Sequence, residues 1–449
     1  MNAHPAQAQR PGRPSAERRA SAPRLTAGWQ ATGRAAVLRE HVDRYGPLPR
    51  RGAGGRGRGG LTEAVFKAGL TGRGGAGFPT GTKMRAVTSR RGPAVVVANG
   101  VESEPASEKD QALLSRAPHL VLDGAVLAAE AVRADVVHLC LPRASGWLTE
   151  LMLGAVEERR QAQLDSVPIH VHGLPRHYVS SEETSLVRWL NGGEAKPVAT
   201  PPRPSERGVG KRPTLVDNVE TLAHVALIAR YGPAWFRRAG LPEAPGTMLI
   251  TVSGAVEGPG VYEVDLGTLI GDALIMSGIS GQASSVLIGG YFGTWHDLRA
   301  VAGLPLTAAG LLHVGASPGA GVLFALPPGA CGLAETARVL AYLADEGAGQ
   351  CGPCAFGLPA IADDFAQLAA GRPQGPVLGR LERRFGTVAG RGACRHPDGA
   401  IRMAASALAA FAADVHAHVS HRPCVSTRRG HPPPAVLPIP RPWSEGEWY

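Results

Sequence analysis

Two cysteines spaced by two residues, Cys351-Gly-Pro-Cys354, and a third forty residues on, Cys394 in Gly392-Ala-Cys-Arg-His-Pro-Asp398, are the strongest chemical signal in this 449-residue sequence. Thiolates so spaced at a junction between helices can hold an iron–sulfur cluster or zinc. A thioredoxin-type redox pair needs a strand before it, and the pattern supplies none. Zinc usually takes a second Cys or His pair, and only His396 stands near. The other cysteines read differently. Cys140 lies in an apolar run and suits core packing, while Cys331 and Cys424 read as structural or incidental.

Four polar elements precede the cysteines. Gly72-Arg-Gly-Gly-Ala-Gly-Phe78 matches G-x-G-x-x-G, but the residues before it read as helix, so a dinucleotide fold of the usual kind is a poor fit. What remains is a glycine loop whose amides can approach a phosphate, with Arg73 and Lys83 to neutralise it. Asn99-Gly-Val-Glu-Ser-Glu-Pro105 follows an apolar strand, the place where α/β folds bind ligands, and offers Glu102 and Glu104. Tyr178-Val-Ser-Ser-Glu-Glu-Thr184 and Pro213-Thr-Leu-Val-Asp-Asn-Val-Glu-Thr221 each open a helix, where capping alone would explain them.

The surrounding pattern says what must position these groups. A helix at 61–69 and apolar strands at 94–98 and 136–141, with a helix at 111–132 between them, predict an α/β layer on a buried, largely parallel sheet. After Gly246 a strand, a Gly-Pro-Gly turn, a second strand and a short helix predict a small α+β module. Helical stripes at 334–345, 355–370, 377–385 and 400–419 predict an all-α bundle with the Cys pair at its first junction. The expected division is a basic tail at 1–20, an α/β domain at 21–245, a small α+β domain at 246–327, a helical bundle at 328–420 and a Pro-rich tail at 421–449. A Gly/Arg run at 50–60 reads as a break.

The net charge of +10 is not a nucleic-acid footprint. Twelve arginines against three acids in residues 1–60 account for +9, leaving a nearly neutral body. No run of about 18–20 apolar residues predicts a spanning helix. The expected location is the cytoplasm, with attachment to the inner face of a membrane through a partner complex.

Taken in order, the five elements resemble the family of NADH- and flavin-binding F subunits of complex I, from about residue 55 to 418. The resemblance implies an α/β domain for FMN and NADH, a β-grasp domain, and a helical iron–sulfur bundle. It implies FMN on Gly72, Arg73, Gly74, Lys83, Asn99, Glu182, Asn218 and Thr221, with NADH touched by Phe78, Glu104 and Glu183. It implies a 4Fe–4S cluster on Cys351, Cys354 and Cys394, and partners that are other redox subunits of iron–sulfur or ferredoxin-like type. NADH gives up a hydride, whereas a cluster accepts single electrons, so a flavin between them is coherent.

Several positions depart from the family pattern. Ala348 stands where the first cluster cysteine belongs, and Cys331 could replace it only if its end of the helix returned to the junction. Val101 replaces an Asp, Ser181 a Gly and Asp217 an Asn, while Thr200 and Arg203 replace a Lys and an aromatic on the NADH side. The expected function is NADH oxidation coupled to electron transfer, carried out as one part of a larger complex. The alternatives are a relay fed by ferredoxin or another donor, and a non-catalytic structural role.

Overall fold

The computed structural model describes residues 22–49, 60–422, 424, 436–440 and 448–449. The basic tail, nearly all of the Gly/Arg run and most of the Pro-rich tail lie outside the described residues.

Helices α1 (Leu38–Tyr45), α2 (Gly60–Ala68) and α3 (Thr80–Thr88) lead into β1 (Ala94–Asn99). The chain continues through α4 (Lys109–Arg116), α5 (Pro118–Val132), β2 (Ala134–Pro142), α6 (Gly146–Gln161), β3 (Ile169–Leu174), α7 (Glu183–Leu190), β4 (Thr214–Asn218) and α8 (Val219–Phe236). The four strands form one parallel sheet in the order β3-β2-β1-β4. Continuous burial along β1 is what an apolar run produces when helices cover both faces. The chain lays β2 and β3 to one side of β1, then returns to place β4 on the other. That reversal opens a crevice beyond the carboxyl ends of β1 and β4.

The expected helix at 111–132 is two helices. Pro118 cannot continue the preceding turn, so α4 and α5 meet at 97°. Helix α5 is buried along nearly its whole length and packs so tightly on α8 that a Cβ at Gly124 would lie 1.8 Å from the Leu222 carbonyl oxygen. The length and apolarity of the α4–α5 pair belong to this core; among the described residues no single helix is long and apolar enough to cross a membrane.

The second layer is a mixed sheet, ordered β6-β5-β9-β7-β8. It contains β5 (Thr247–Gly254), β6 (Gly260–Asp265), α9 (Ile270–Met276), β7 (Ser285–Ile288), β8 (Thr294–Asp297), two short helices α10 (Leu298–Val301) and α11 (Ala308–Leu311), and β9 (Val322–Ala325). Helices α12 (Gly332–Asp345), α13 (Leu358–Ala369), α14 (Val377–Val388), α15 (His396–Ala410) and α16 (Ala412–Val419) make the helical C-terminal region. The expected helix at 400–419 starts earlier and breaks at Phe411, a buried ring packed 5.3 Å from Trp295.

The helical region is fastened to the first layer beside the Cys pair. Just past α12, Glu346 accepts a hydrogen bond from Tyr178 N at 2.9 Å and pairs with His177 Nδ1 at 3.2 Å. Gln350 donates to the Pro197 carbonyl and accepts from Arg188, each at 2.9 Å.

Candidate functional site

Asn99 and Asn218 end β1 and β4 and are partners in the parallel register, so two amide side chains stand side by side at the crevice. Asn218 caps α8 by accepting from Glu220 N at 3.0 Å, and its Nδ2 donates to Asp110 at 2.6 Å. Asn99 donates to the Ser181 carbonyl at 2.9 Å and accepts from Val101 N at 3.1 Å. The glycine loop closes on itself through Gly72 N and the Phe78 carbonyl at 2.8 Å, with Gly75 and Gly77 at positive φ. Gly74 rests against Asn218, where a Cβ would come within 3.3 Å of the Asn218 Cβ. The loop therefore lies over the strand ends with residues 74–78 exposed.

Several sequence-derived roles change here. The Arg73 guanidinium does not face the open side of the loop. It is buried, donating to the Thr71 carbonyl at 3.0 Å and the Thr247 carbonyl at 3.1 Å, with Glu220 3.9 Å away, and so ties the loop to β5. It cannot neutralise a phosphate from there. Thr221 lies beneath the loop, accepting the Arg73 amide at 2.9 Å. Of the two expected cations Lys83 remains: Nζ is 2.6 Å from the Val216 carbonyl and 2.9 Å from Glu183. Glu182 caps α7 through the amides of Thr184 at 2.9 Å and Ser185 at 3.2 Å. Phe78 and Glu183 are at the surface, but Glu104 is not with them. Its carboxylate is buried under Tyr178 Oη at 2.7 Å and Tyr291 N at 2.8 Å, and burial pushes its pKa up to about 7.

A buried charge network that no motif had indicated lies under the crevice. Lys109 Nζ is 2.6 Å from Asp110 and 3.0 Å from Glu220. Burial opposes its charge, but Asp110 and then Glu220 more than compensate and raise its pKa. The signal available in the sequence was a Lys-Asp pair opening a helix directly after the Glu-Pro turn. Asp217 is also buried; its Oδ2 has no partner, and burial pushes the carboxyl up to about 6 despite the charge of Lys83.

Cys351, Cys354 and Cys394 gather at the junction after α12. The Cys354 thiol is pushed up to about 12, by burial first and then by Cys351 and Cys394. Burial also raises Cys394, with a smaller contribution from the charge of Glu182. His396 spends its Nε2 on the Leu343 carbonyl at 2.6 Å. Cys331 does not return to the junction. It precedes α12, about 21 Å of helix away at 1.5 Å per residue. There its sulfur lies within 4.8 Å of a nitrogen of His418 and the sulfur of Cys424. Cys140 is core, as expected.

These residues fit a flavin nucleotide and a cluster. The loop is open on one side, the Lys83 ammonium sits against Glu183 and the Val216 carbonyl, and the buried hydroxyls of Thr80, Ser180 and Ser185 have no partner. Cys351, Cys354 and Cys394 supply three thiols at one helix junction, of the kind that ligate iron–sulfur clusters. Asp217 is the feature that opposes an anionic ligand.

Residues 65–227 match the model of the Nuo51 FMN-binding domain, and residues 334–418 match that of the NADH-ubiquinone oxidoreductase-F iron-sulfur binding region. The NADH-quinone oxidoreductase F subunit of Streptomyces coelicolor is 32% identical over 384 residues, covering 81% of this chain and 84% of that protein. The chain belongs to this F-subunit family. The NADH-quinone oxidoreductase F 2 subunit of Rhizobium meliloti is 29% identical, covering 89% of this chain and 96% of that protein. The crystal structure of an NAD+-reducing NiFe hydrogenase in the H2-reduced state superposes with a TM-score of 0.78 at 30% identity, covering 86% of this chain and 67% of that one. Like its relatives, the chain is one component of an oxidoreductase, with an FMN-binding domain and an iron–sulfur region.

Proposed function

We propose that this F-type chain oxidises NADH at FMN held in the crevice and passes electrons to a 4Fe–4S cluster on Cys351, Cys354 and Cys394, and from there to a partner of iron–sulfur or ferredoxin-like type. FMN supplies the exchange between two-electron hydride chemistry and one-electron transfer. The protein's part is placement. Gly72, Gly74 and the amides around them approach the phosphate, Lys83 offsets its charge, and Asn99 and Asn218 hydrogen-bond the polar edge. Glu182 orders the amides of α7, while Arg73 and Thr221 hold the loop from beneath. Phe78 and Glu183 form the NADH side, with Glu104 supporting it from the interior.

The hydrogen bonds that join Glu346 to Tyr178 N and Gln350 to Pro197 and Arg188 carry this reading, because they hold the segment leading to Cys351 against the wall of the crevice. We read the layers as an FMN domain at 21–245, a β-grasp domain at 246–327 and an iron–sulfur bundle at 328–420. The place of work is the inner face of a membrane complex, reached through the partner.

Anaerobic purification followed by absorbance, flavin and iron assay tests the reading; colourless protein without iron or flavin would overturn it. Adding millimolar NADH to flavin-loaded protein should bleach the flavin. Absence of bleaching in protein that holds both groups would favour a second reading, a relay fed by ferredoxin or another donor. Thr200 and Arg203 on the NADH side favour that alternative, since they replace the family's lysine and aromatic.

A further inference from the structure

At the end of α12 remote from the three cluster thiols, Cys331, His418 and Cys424 bring two sulfurs and an imidazole nitrogen within 4.8 Å of one another. Cys331 precedes the first residue of α12, His418 is in the last turn of α16, and Cys424 follows a reversal in which His421 takes positive φ. Three segments thus converge on one point. His418 and Cys331 are buried, and no disulfide joins the cysteines.

The surroundings of these side chains already suit a metal. His418 Nδ1 faces the Leu368 carbonyl at 3.1 Å, which places the proton on Nδ1 and the lone pair on Nε2. Metal-bound imidazoles are commonly fixed by such a bond from their other nitrogen. That lone pair now accepts the Cys424 amide at 3.0 Å. Tetrahedral zinc with Zn–S near 2.3 Å needs sulfurs about 3.8 Å apart, so the trio must contract by about 1 Å at most.

We propose that Cys331, His418 and Cys424 bind a zinc ion that clasps the end of the helical region, separate from the iron–sulfur site. Two thiolates with an imidazole suit borderline-soft zinc. Binding is redox-neutral: each thiol loses a proton to solvent, two in all, His418 gives its lone pair in place of one hydrogen bond, and the fourth position is filled from outside the trio. Neither flavin nor cluster chemistry is needed for it.

The test uses the full chain purified anaerobically, with zinc and iron measured together. One equivalent of zinc is expected, and zinc-edge absorption should show two sulfurs at about 2.3 Å and a nitrogen at about 2.0–2.1 Å. Cys424→Ser and His418→Gln should lose zinc and keep iron, whereas Cys354→Ala should lose iron and keep zinc. The wild-type absorption spectrum needs no variant, so a misfolding substitution does not spoil the test. Zinc-free protein with both thiols alkylatable, a Cys331–Cys424 disulfide, or zinc unaffected by Cys424→Ser would each overturn the proposal.

Discussion

Lys83 Nζ lies 2.9 Å from the Glu183 carboxylate, joining the helix after the glycine loop to the helix that follows the acidic turn. Burial opposes its charge, but Asp217 and then Glu183 hold the ammonium protonated. With Arg73 turned inward, Lys83 is left to meet a phosphate. Lys83→Met should weaken FMN binding by about 10- to 150-fold, from the 1.5–3 kcal/mol of a charge-assisted hydrogen bond. Fluorescence titration with FMN measures it, and an unchanged Kd would assign the phosphate to other groups.

Asp217 should cost stability at neutral pH. Its folded pKa, about 6, is above the ordinary 3.8, so the folded protein holds the proton more tightly than the unfolded chain. Its contribution is full below about pH 4 and is lost as pH rises to about 6. The gap between those two values corresponds to about 3 kcal/mol as an upper value. Asp217→Asn should therefore stabilise the flavin-free protein by about 1–3 kcal/mol at pH 7.5, hardly at all at pH 4, and tighten FMN binding. Glu102 and Glu104, both raised to about 7, add a slope of the same sign that the variant leaves intact. Denaturant unfolding at both pH values decides it; equal effects at the two would mean that folding does not raise the Asp217 pKa.

Cys354→Ala should abolish the visible absorption of a cluster and its iron. Cys140→Ala, in the core, should lower stability and leave iron content unchanged. Retention of iron by the Cys354 variant would move the cluster elsewhere.

Phe78 is 45% exposed on the glycine loop, an aromatic face waiting for a ring. Phe78→Ala should raise KM for NADH about 2- to 10-fold, given 0.5–1.5 kcal/mol for an aromatic pair, with bound FMN unchanged. A loss of FMN instead would place Phe78 on the flavin.

The ordered motifs and apolar runs made the parallel layer, the hairpin after Gly246 and the thiol junction legible, because each rests on local pattern. Strands β7, β8 and β9 were not legible: four residues apiece give too little periodicity to separate them from loop. The breaks at Pro118 and Phe411 show the same limit, since an apolar stripe records which face is buried and not where its axis turns. In the site, Asn99, Asn218 and Lys83 stand where their motifs suggested. Arg73 and Glu104 do not, because sequence gives a charge its neighbours along the chain and not the direction of its side chain. Lys109 and the Cys331–His418–Cys424 trio depend on contacts between distant segments, which no spacing rule reports.

The bonds from Glu346 and Gln350 to Tyr178, Pro197 and Arg188 have a kinetic consequence. They pin the segment just before Cys351 to the wall of the crevice at two points, so the gap an electron crosses is set by packing. Passage from crevice to thiols should then behave as tunnelling between fixed stations, indifferent to added glycerol or sucrose. Viscosity should slow only the collision with the partner that collects the charge.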